Sequence, residues 1–196
     1  MELESYLRGR LEAKGILLMS HIVLGYPSLS DCSRIIADMV EAGVDLMELQ
    51  IPFSEPIADG PVILHANQKA LAGKAAVEEC LAFAAEVARM YAIPFVIMTY
   101  YNIIFRYGVD RFVRTMASRG LQGAIVPDLP PEEGREYLES MAQQDLAPIF
   151  IFSPTSSQDR LTYLASQAKG FVYCVARKGV TGAHTAFSRD LETYLG

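Results

Sequence analysis

No apolar run in these 196 residues is long enough to cross a bilayer. Half of the chain is hydrophobic (51%), yet Gly, Pro or a charge breaks every stretch. The amino-terminal segment, with Glu2, Glu4, Arg8 and Arg10, lacks the apolar core of a secretion signal, so the expected compartment is the cytoplasm. Cysteine is scarce. Cys32, Cys80 and Cys174 are odd in number, far apart and in no metal-ligand spacing, and they read as buried thiols in a reducing environment. Lys and Arg (17 against 23 Asp and Glu) form no basic tract, and a formal net charge of −6 argues against a nucleic-acid partner. No G-x-G-x-x-G motif follows the first apolar run, which weakens a dinucleotide-binding reading.

What is present is an alternation of short apolar runs and amphipathic segments, of a length suited to one domain over residues 1–196. Helices are expected over Leu3 to Lys14, Ser28 to Glu41, Val62 to Leu71, Ala75 to Tyr91, Asp110 to Arg119, Pro131 to Gln144 and Ser157 to Ala168. A further helix is expected to begin at Asp190. Between them lie six strand-like runs: Ile16 to Leu24, Val44 to Ile51, Ile93 to Thr99, Gly123 to Val126, Ala147 to Phe152 and Gly170 to Ala176. The runs show little polar alternation and recur roughly every 25 to 30 residues, apart from a longer second connection. That pattern predicts a parallel sheet covered by helices, and the repeated βα unit favours a (β/α)₈ TIM barrel over a doubly wound sheet. A full barrel of this kind is typically about 250 residues, so the expectation is that strands seven and eight lie outside this sequence. The edges of strands one and six would then be unpaired.

In such barrels chemistry sits at the carboxy-terminal ends of the strands. The second run, Val44 to Ile51, carries only Asp45 and Glu48 as charges, and each needs a reason, because burying a carboxylate is costly or neutralises it. Pro52 and Pro56 stiffen the loop that follows. Asp59-Gly60-Pro61 reads as a helix start, with Asp59 near the cap and Pro61 in the first turn. Tyr100, Tyr101 and Asn102 follow the third run and Asp128 the fourth, while Ser153, Pro154 and Thr155 follow the fifth. Asp128 reads mainly as a structural helix-start residue, and Tyr100 equally as packing or as site. The stretch from Arg177 to Ala183 is a glycine-bearing loop suited to covering a site or presenting backbone donors to an anion.

The stretch Glu48-Leu49-Gln50-Ile51-Pro52-Phe53-Ser54-Glu55-Pro56-Ile57-Ala58-Asp59-Gly60-Pro61 closely resembles the signature of tryptophan synthase alpha subunits. These (β/α)₈ barrels cleave indole-3-glycerol phosphate to indole and glyceraldehyde 3-phosphate. Five further blocks match in order: Leu24 to Pro27, Met98 to Asn102, Val126 to Pro130, Ala147 to Phe150 and Gly179 to Ala183. The resemblance implies a carbon–carbon lyase of tryptophan biosynthesis that needs neither metal nor organic cofactor. It also implies association with a beta subunit in an α2β2 heterotetramer, through the loops around Pro52 to Pro56 and Asn102.

Retro-aldol cleavage of this substrate needs a proton delivered to the ring carbon bearing the side chain, and removal of the proton from the adjacent hydroxyl. One carboxyl group that changes protonation state can serve both. The resemblance gives that role to Glu48, whose apolar setting fits a raised pKa. It makes Asp59 the second catalytic carboxylate, ionised and stabilising positive charge that develops on the indole through its N–H. Thr181 corresponds to a loop threonine that contacts this aspartate, Tyr100 and Tyr173 to pocket tyrosines, and Met98, Ile125 and Ile151 to the indole wall. Gly182 corresponds to a backbone donor to the phosphate.

The chain departs from the family pattern at four places. Ser20 and His21 stand where the first strand usually has a proline and an aromatic, Gln50 replaces a small residue, and Glu55 replaces an aspartate. His21 reads first as a satisfied polar residue and second as a new contact to the pocket. Because the other phosphate donors of the family follow strands seven and eight, one alternative to the lyase is a non-catalytic or weakly active module that binds the beta subunit. The first-strand departures, Ser20 and His21, keep a second alternative, another phosphate-handling barrel lyase or isomerase.

Overall fold

In a computed structural model that describes residues 2–175, strands and helices alternate along the chain as the βα pattern predicts. The first helix, α1 (Leu3–Lys14), is followed by β1 (Met19–Val23), α2 (Leu29–Glu41) and β2 (Leu46–Gln50). Next come α3 (Pro61–Ala72), α4 (Val77–Met90), β3 (Phe95–Met98), α5 (Tyr101–Tyr107), α6 (Val109–Ser118) and β4 (Gly123–Ile125). The described chain ends with α7 (Arg135–Gln143), β5 (Ala147–Ile149), β6 (Ile151–Phe152), α8 (Gln158–Gln167) and β7 (Tyr173–Cys174). The helix expected from Asp190 lies outside the described residues, as do Thr181 and Gly182.

All ladders are parallel. β1 to β5 pair in chain order, and β6 pairs with β7. The expected fifth strand is thus divided: residues 147–149 bond back to β4, whereas Phe150 and Phe152 accept from Tyr173 and Val175 ahead of them. The stagger of a barrel, in which each strand is displaced along its neighbour, accounts for the division. Among the described residues β1 pairs only with β2, and β7 only with β6.

The two faces of the sheet bury different cores. Met47, Leu49, Phe95 and Ile97 point outward into the helix layer with Ile36, Leu81, Phe112 and Met116. The alternate residues Val96, Met98, Ile125, Ala147 and Ile149 point inward and form a second cluster with Tyr100. Leu3 of α1 is 4% exposed and joins this inner cluster, so α1 closes one end of it. Strand separation here requires Gly123, because a Cβ at that position would lie 2.4 Å from the carbonyl oxygen of Ala147. The thiols divide differently from expectation: Cys32 and Cys80 are buried within the helix layer, but Cys174, on a two-residue strand with one partner, is exposed.

Asp45, one of the two charges of the second run, is fully buried and fully paired. It accepts from Lys14 Nζ (2.8 Å to each oxygen), Arg10 Nη2 (2.8 Å) and the backbone N–H of Leu18 (3.0 Å). Burial pushes its pKa up, but the hydrogen bonds from Lys14, Leu18 and Arg10 outweigh it and bring the group to about 2. The carboxylate thereby ties α1 to the sheet. Asp45→Ala is expected to destabilise the fold by about 2–3 kcal/mol, since it orphans a buried N–H and leaves two cations without their acceptor. The native pKa lies below the unfolded value, so this stabilisation is complete above the ordinary carboxylate range and is lost as pH falls through about 2. Denaturant melts of both proteins should therefore differ most near neutrality and converge in strong acid.

Candidate active site

The second charge of that run is placed quite differently. Glu48 lies on the inward face of β2, in register with His21 of β1 and Val96 of β3, and is 7% exposed. Among the described residues no hydrogen bond reaches its carboxyl group, and its ion-pair contact, His21 Nε2, is 3.9 Å away. Desolvation lowers the His21 pKa and favours the neutral ring, which gives the carboxylate little compensation. Burial, reinforced by the charge of Asp59, pushes Glu48 up to about 7. A carboxyl group at that value exchanges protons readily near neutral pH.

Asp59 reaches the same end of the barrel from the loop between β2 and α3. Two features fix that loop. The Asn67 side chain, fully buried on α3, accepts from the backbone N–H of Phe53 (2.8 Å) and donates to the carbonyl of Ile63 (2.9 Å). Ring stacking of Phe53 on Tyr100, with centroids 5.0 Å apart, holds the other side. Asp59 stands near the cap as expected, one residue before it: the N-cap of α3 is Gly60, without a side-chain hydrogen bond, and Pro61 opens the helix. The Asp59 carboxylate turns inward instead, where its Oδ2 accepts from Gln50 Nε2 (2.7 Å) and from Tyr100 Oη (3.3 Å).

Tyr100 packs through its ring and bonds Asp59 through its hydroxyl. Its ring is fully buried in the inner cluster, and its hydroxyl accepts from the N–H of Ala58 (3.1 Å) while donating to Asp59. Burial pushes its pKa above the ordinary phenol value, so the hydroxyl stays a donor. Met98 and Ile125 lie side by side on adjacent strands of the inner face, both buried, with Ile151 packed against their cluster. Tyr173 pairs with Ile151 on β7, and desolvation together with the Glu48 charge raises its phenol. Asp128 stands apart. It accepts from the N–H of Tyr101 (2.8 Å) and so caps α5 from the loop after β4, a structural role. Ser153 and Thr155 bond each other at 2.8 Å. Among the described residues no three His, Cys, Asp or Glu side chains converge as metal ligands would.

Two contributors, Asn67 and Phe53, were not singled out from sequence as parts of the site, and they brace the loop. Gln50 and His21, noted from sequence as departures, make polar contact with Asp59 and Glu48. Asn67 had a legible signal, being a polar residue on the inner face of an otherwise apolar helical segment.

Two carboxyl groups of contrasting environment therefore face an apolar wall at one end of a parallel βα barrel. The family profile described as tryptophan synthase alpha chain matches residues 9–196. A tryptophan synthase alpha chain from Desulforapulum autotrophicum is 61% identical over 193 residues, covering 98% of this chain and 76% of that protein. The chain belongs to the tryptophan synthase alpha chain family. Solved structures agree. Tryptophan synthase from Mycobacterium tuberculosis superposes with a TM-score of 0.84 at 34% identity, over 92% of this chain and 69% of that one. The tryptophan synthase alpha subunit from Legionella pneumophila gives 0.83 at 32%, over 89% and 68%. Both likenesses place the present barrel in the tryptophan synthase alpha fold.

Proposed function

We propose that this alpha chain cleaves indole-3-glycerol phosphate to indole and glyceraldehyde 3-phosphate with Glu48 and Asp59 as its two catalytic carboxylates. The observation that carries the reading is the buried Glu48, raised to about 7 and without a hydrogen bond among the described residues, beside the multiply hydrogen-bonded Asp59. In its protonated form Glu48 gives its proton to the ring carbon that bears the side chain, and the ring nitrogen becomes positive. Asp59, held by Gln50 and Tyr100, faces that N–H and stabilises the charge. Glu48, now a carboxylate, takes the proton of the adjacent hydroxyl as the carbon–carbon bond breaks. The electron pair returns to the indole ring, and Glu48 is protonated again for the next cycle.

Met98, Ile125, Ile151, Tyr100 and Tyr173 form the indole pocket in this proposal. Thr181 and Gly182, which lie outside the described residues, are assigned to substrate binding by the resemblance alone. The chemistry uses proton transfers alone, and the chain works in the cytoplasm. Incubation of the full chain with indole-3-glycerol phosphate is expected to release indole and glyceraldehyde 3-phosphate in equal amounts. Absence of indole at high enzyme concentration would refute the proposal.

A tryptophan synthase beta subunit is the proposed partner. A groove of about 490 Å³ between the Pro52 to Ser54 loop and the Asn102, Ile103 and Arg106 face of α5 lies where the sequence resemblance puts that contact. Phe105 beside it is 65% exposed. Phe105→Glu is expected to weaken association with the beta subunit by about tenfold or more, measured by titration calorimetry, because it places a charge on an apolar contact. Unchanged affinity would remove α5 from the interface.

A further inference from the structure

His21 and Gln50 are polar residues on the inward face of adjacent strands, and neither exchanges a proton in the reaction just described. In the folded chain they form one continuous hydrogen-bonded path to Asp59. His21 Nε2 lies 2.8 Å from Gln50 Oε1, and Gln50 Nε2 lies 2.7 Å from Asp59 Oδ2. Gln50 is fully buried, so its amide has no water to satisfy it. The direction of the path follows from chemistry. A carboxylate only accepts, so the amide must turn its NH₂ to Asp59 and its oxygen to the imidazole. The imidazole must then present a proton at Nε2, which assigns the neutral ring to the Nε2–H tautomer. Register reinforces the arrangement, since His21 is the β1 neighbour of Glu48 and Val23 that of Gln50, which fixes both side chains by the ladder.

Resting on the reading of Asp59 as a catalytic carboxylate, we propose that Gln50 is a positioning residue for Asp59, with His21 locking the amide in its donating orientation. Gln50 and Tyr100 both bond Oδ2, and Oδ1 is the oxygen assigned to the substrate's ring N–H. The path therefore sets the carboxylate plane before substrate arrives, and positive charge developing on the ring meets an acceptor that needs no rearrangement. Because the contact is to the group that serves the transition state, its loss acts on kcat more than on KM.

Gln50→Met keeps side-chain length and removes both hydrogen bonds. In the full chain it is expected to lower kcat for indole-3-glycerol phosphate cleavage about tenfold with KM within about twofold. In an Asp59→Asn background the same change is expected to cost less than about twofold, because the group it positions no longer carries the charge. An unchanged kcat in Gln50→Met, or an equal tenfold loss in both backgrounds, would overturn the proposal. Full activity of Asp59→Asn alone would overturn the catalytic reading beneath it, so the two failures are distinguishable. The His21 tautomer gives a test that needs no variant. Long-range ¹H–¹⁵N correlation of the unsubstituted protein is expected to show a proton on Nε2 and a bare Nδ1, and the opposite tautomer would overturn the proposal.

Discussion

Glu48→Gln is expected to lower turnover of indole-3-glycerol phosphate by at least about 10²-fold, the lower range for loss of a general acid–base group, while changing substrate binding far less. The amide is close to the carboxylic acid in shape, so the pocket keeps its form. It can neither give a proton to the ring carbon nor take one from the hydroxyl, so both halves of the reaction lose their proton carrier. The same substitution has a stability signature of opposite sign. The native pKa of Glu48 is raised from 4.5 to about 7, so folding favours the protonated form. The resulting cost is absent below the unfolded value, grows as pH rises between the two values, and is complete above about 7. Glu48→Gln should accordingly stabilise the protein at pH 8, by on the order of 2–3 kcal/mol, and change it little at pH 4. A variant that is inactive yet more stable in mild base fits a residue kept for chemistry at the expense of the fold. Near wild-type turnover would remove Glu48 from the mechanism.

Asp59→Asn is the second large effect, again about 10²-fold or more in kcat, because a neutral amide cannot offer fixed negative charge to an electron-poor indole. The structure sharpens the control. Asp59 is not the cap of α3, whose N-cap is Gly60, and the asparagine oxygen can still accept from Gln50. The thermal midpoint is therefore expected to stay within a few degrees of the parent, a shift on the order of 0.5 kcal/mol or less. A large fall in midpoint with proportionate loss of activity would make the residue structural.

Local chemistry explains which parts of this fold could be read from the chain. The ends of α1 coincide with the expected Leu3 to Lys14, because a glycine in the left-handed conformation at Gly15 stops the helix. Ser28 caps α2 through the N–H of Asp31, as its position before an amphipathic run suggests. Helix α5 was missed for a physical reason. Tyr101 to Tyr107 is rich in aromatic and β-branched residues of modest helix propensity, and its cap is Asp128, 27 residues further on. No local pattern carries that information.

The site shows the same division. Asp45 and Glu48 sit three residues apart on one strand, and their sequence context is similar. Lys14 and Arg10 from α1, with the N–H of Leu18, anchor Asp45, whereas among the described residues no hydrogen bond reaches the Glu48 carboxyl group. Asp-Gly-Pro is a strong local helix start, and Asp59 does stand near the cap, one residue before Gly60, with Pro61 opening α3. Gln50 and Tyr100, brought in by two different strands, draw its carboxylate elsewhere. Tyr100 could be assigned to packing or to site with equal justice from sequence; its ring stacks on Phe53 in the inner cluster, and its hydroxyl bonds Ala58 and Asp59.

The account stands on Glu48 being an acid that titrates near neutrality. A ¹³C NMR titration of side-chain carboxyl groups, with the Glu48 signal identified by its loss in Glu48→Gln, measures this directly. The expected midpoint is about 7, and a midpoint near the ordinary 4.5 would contradict the account.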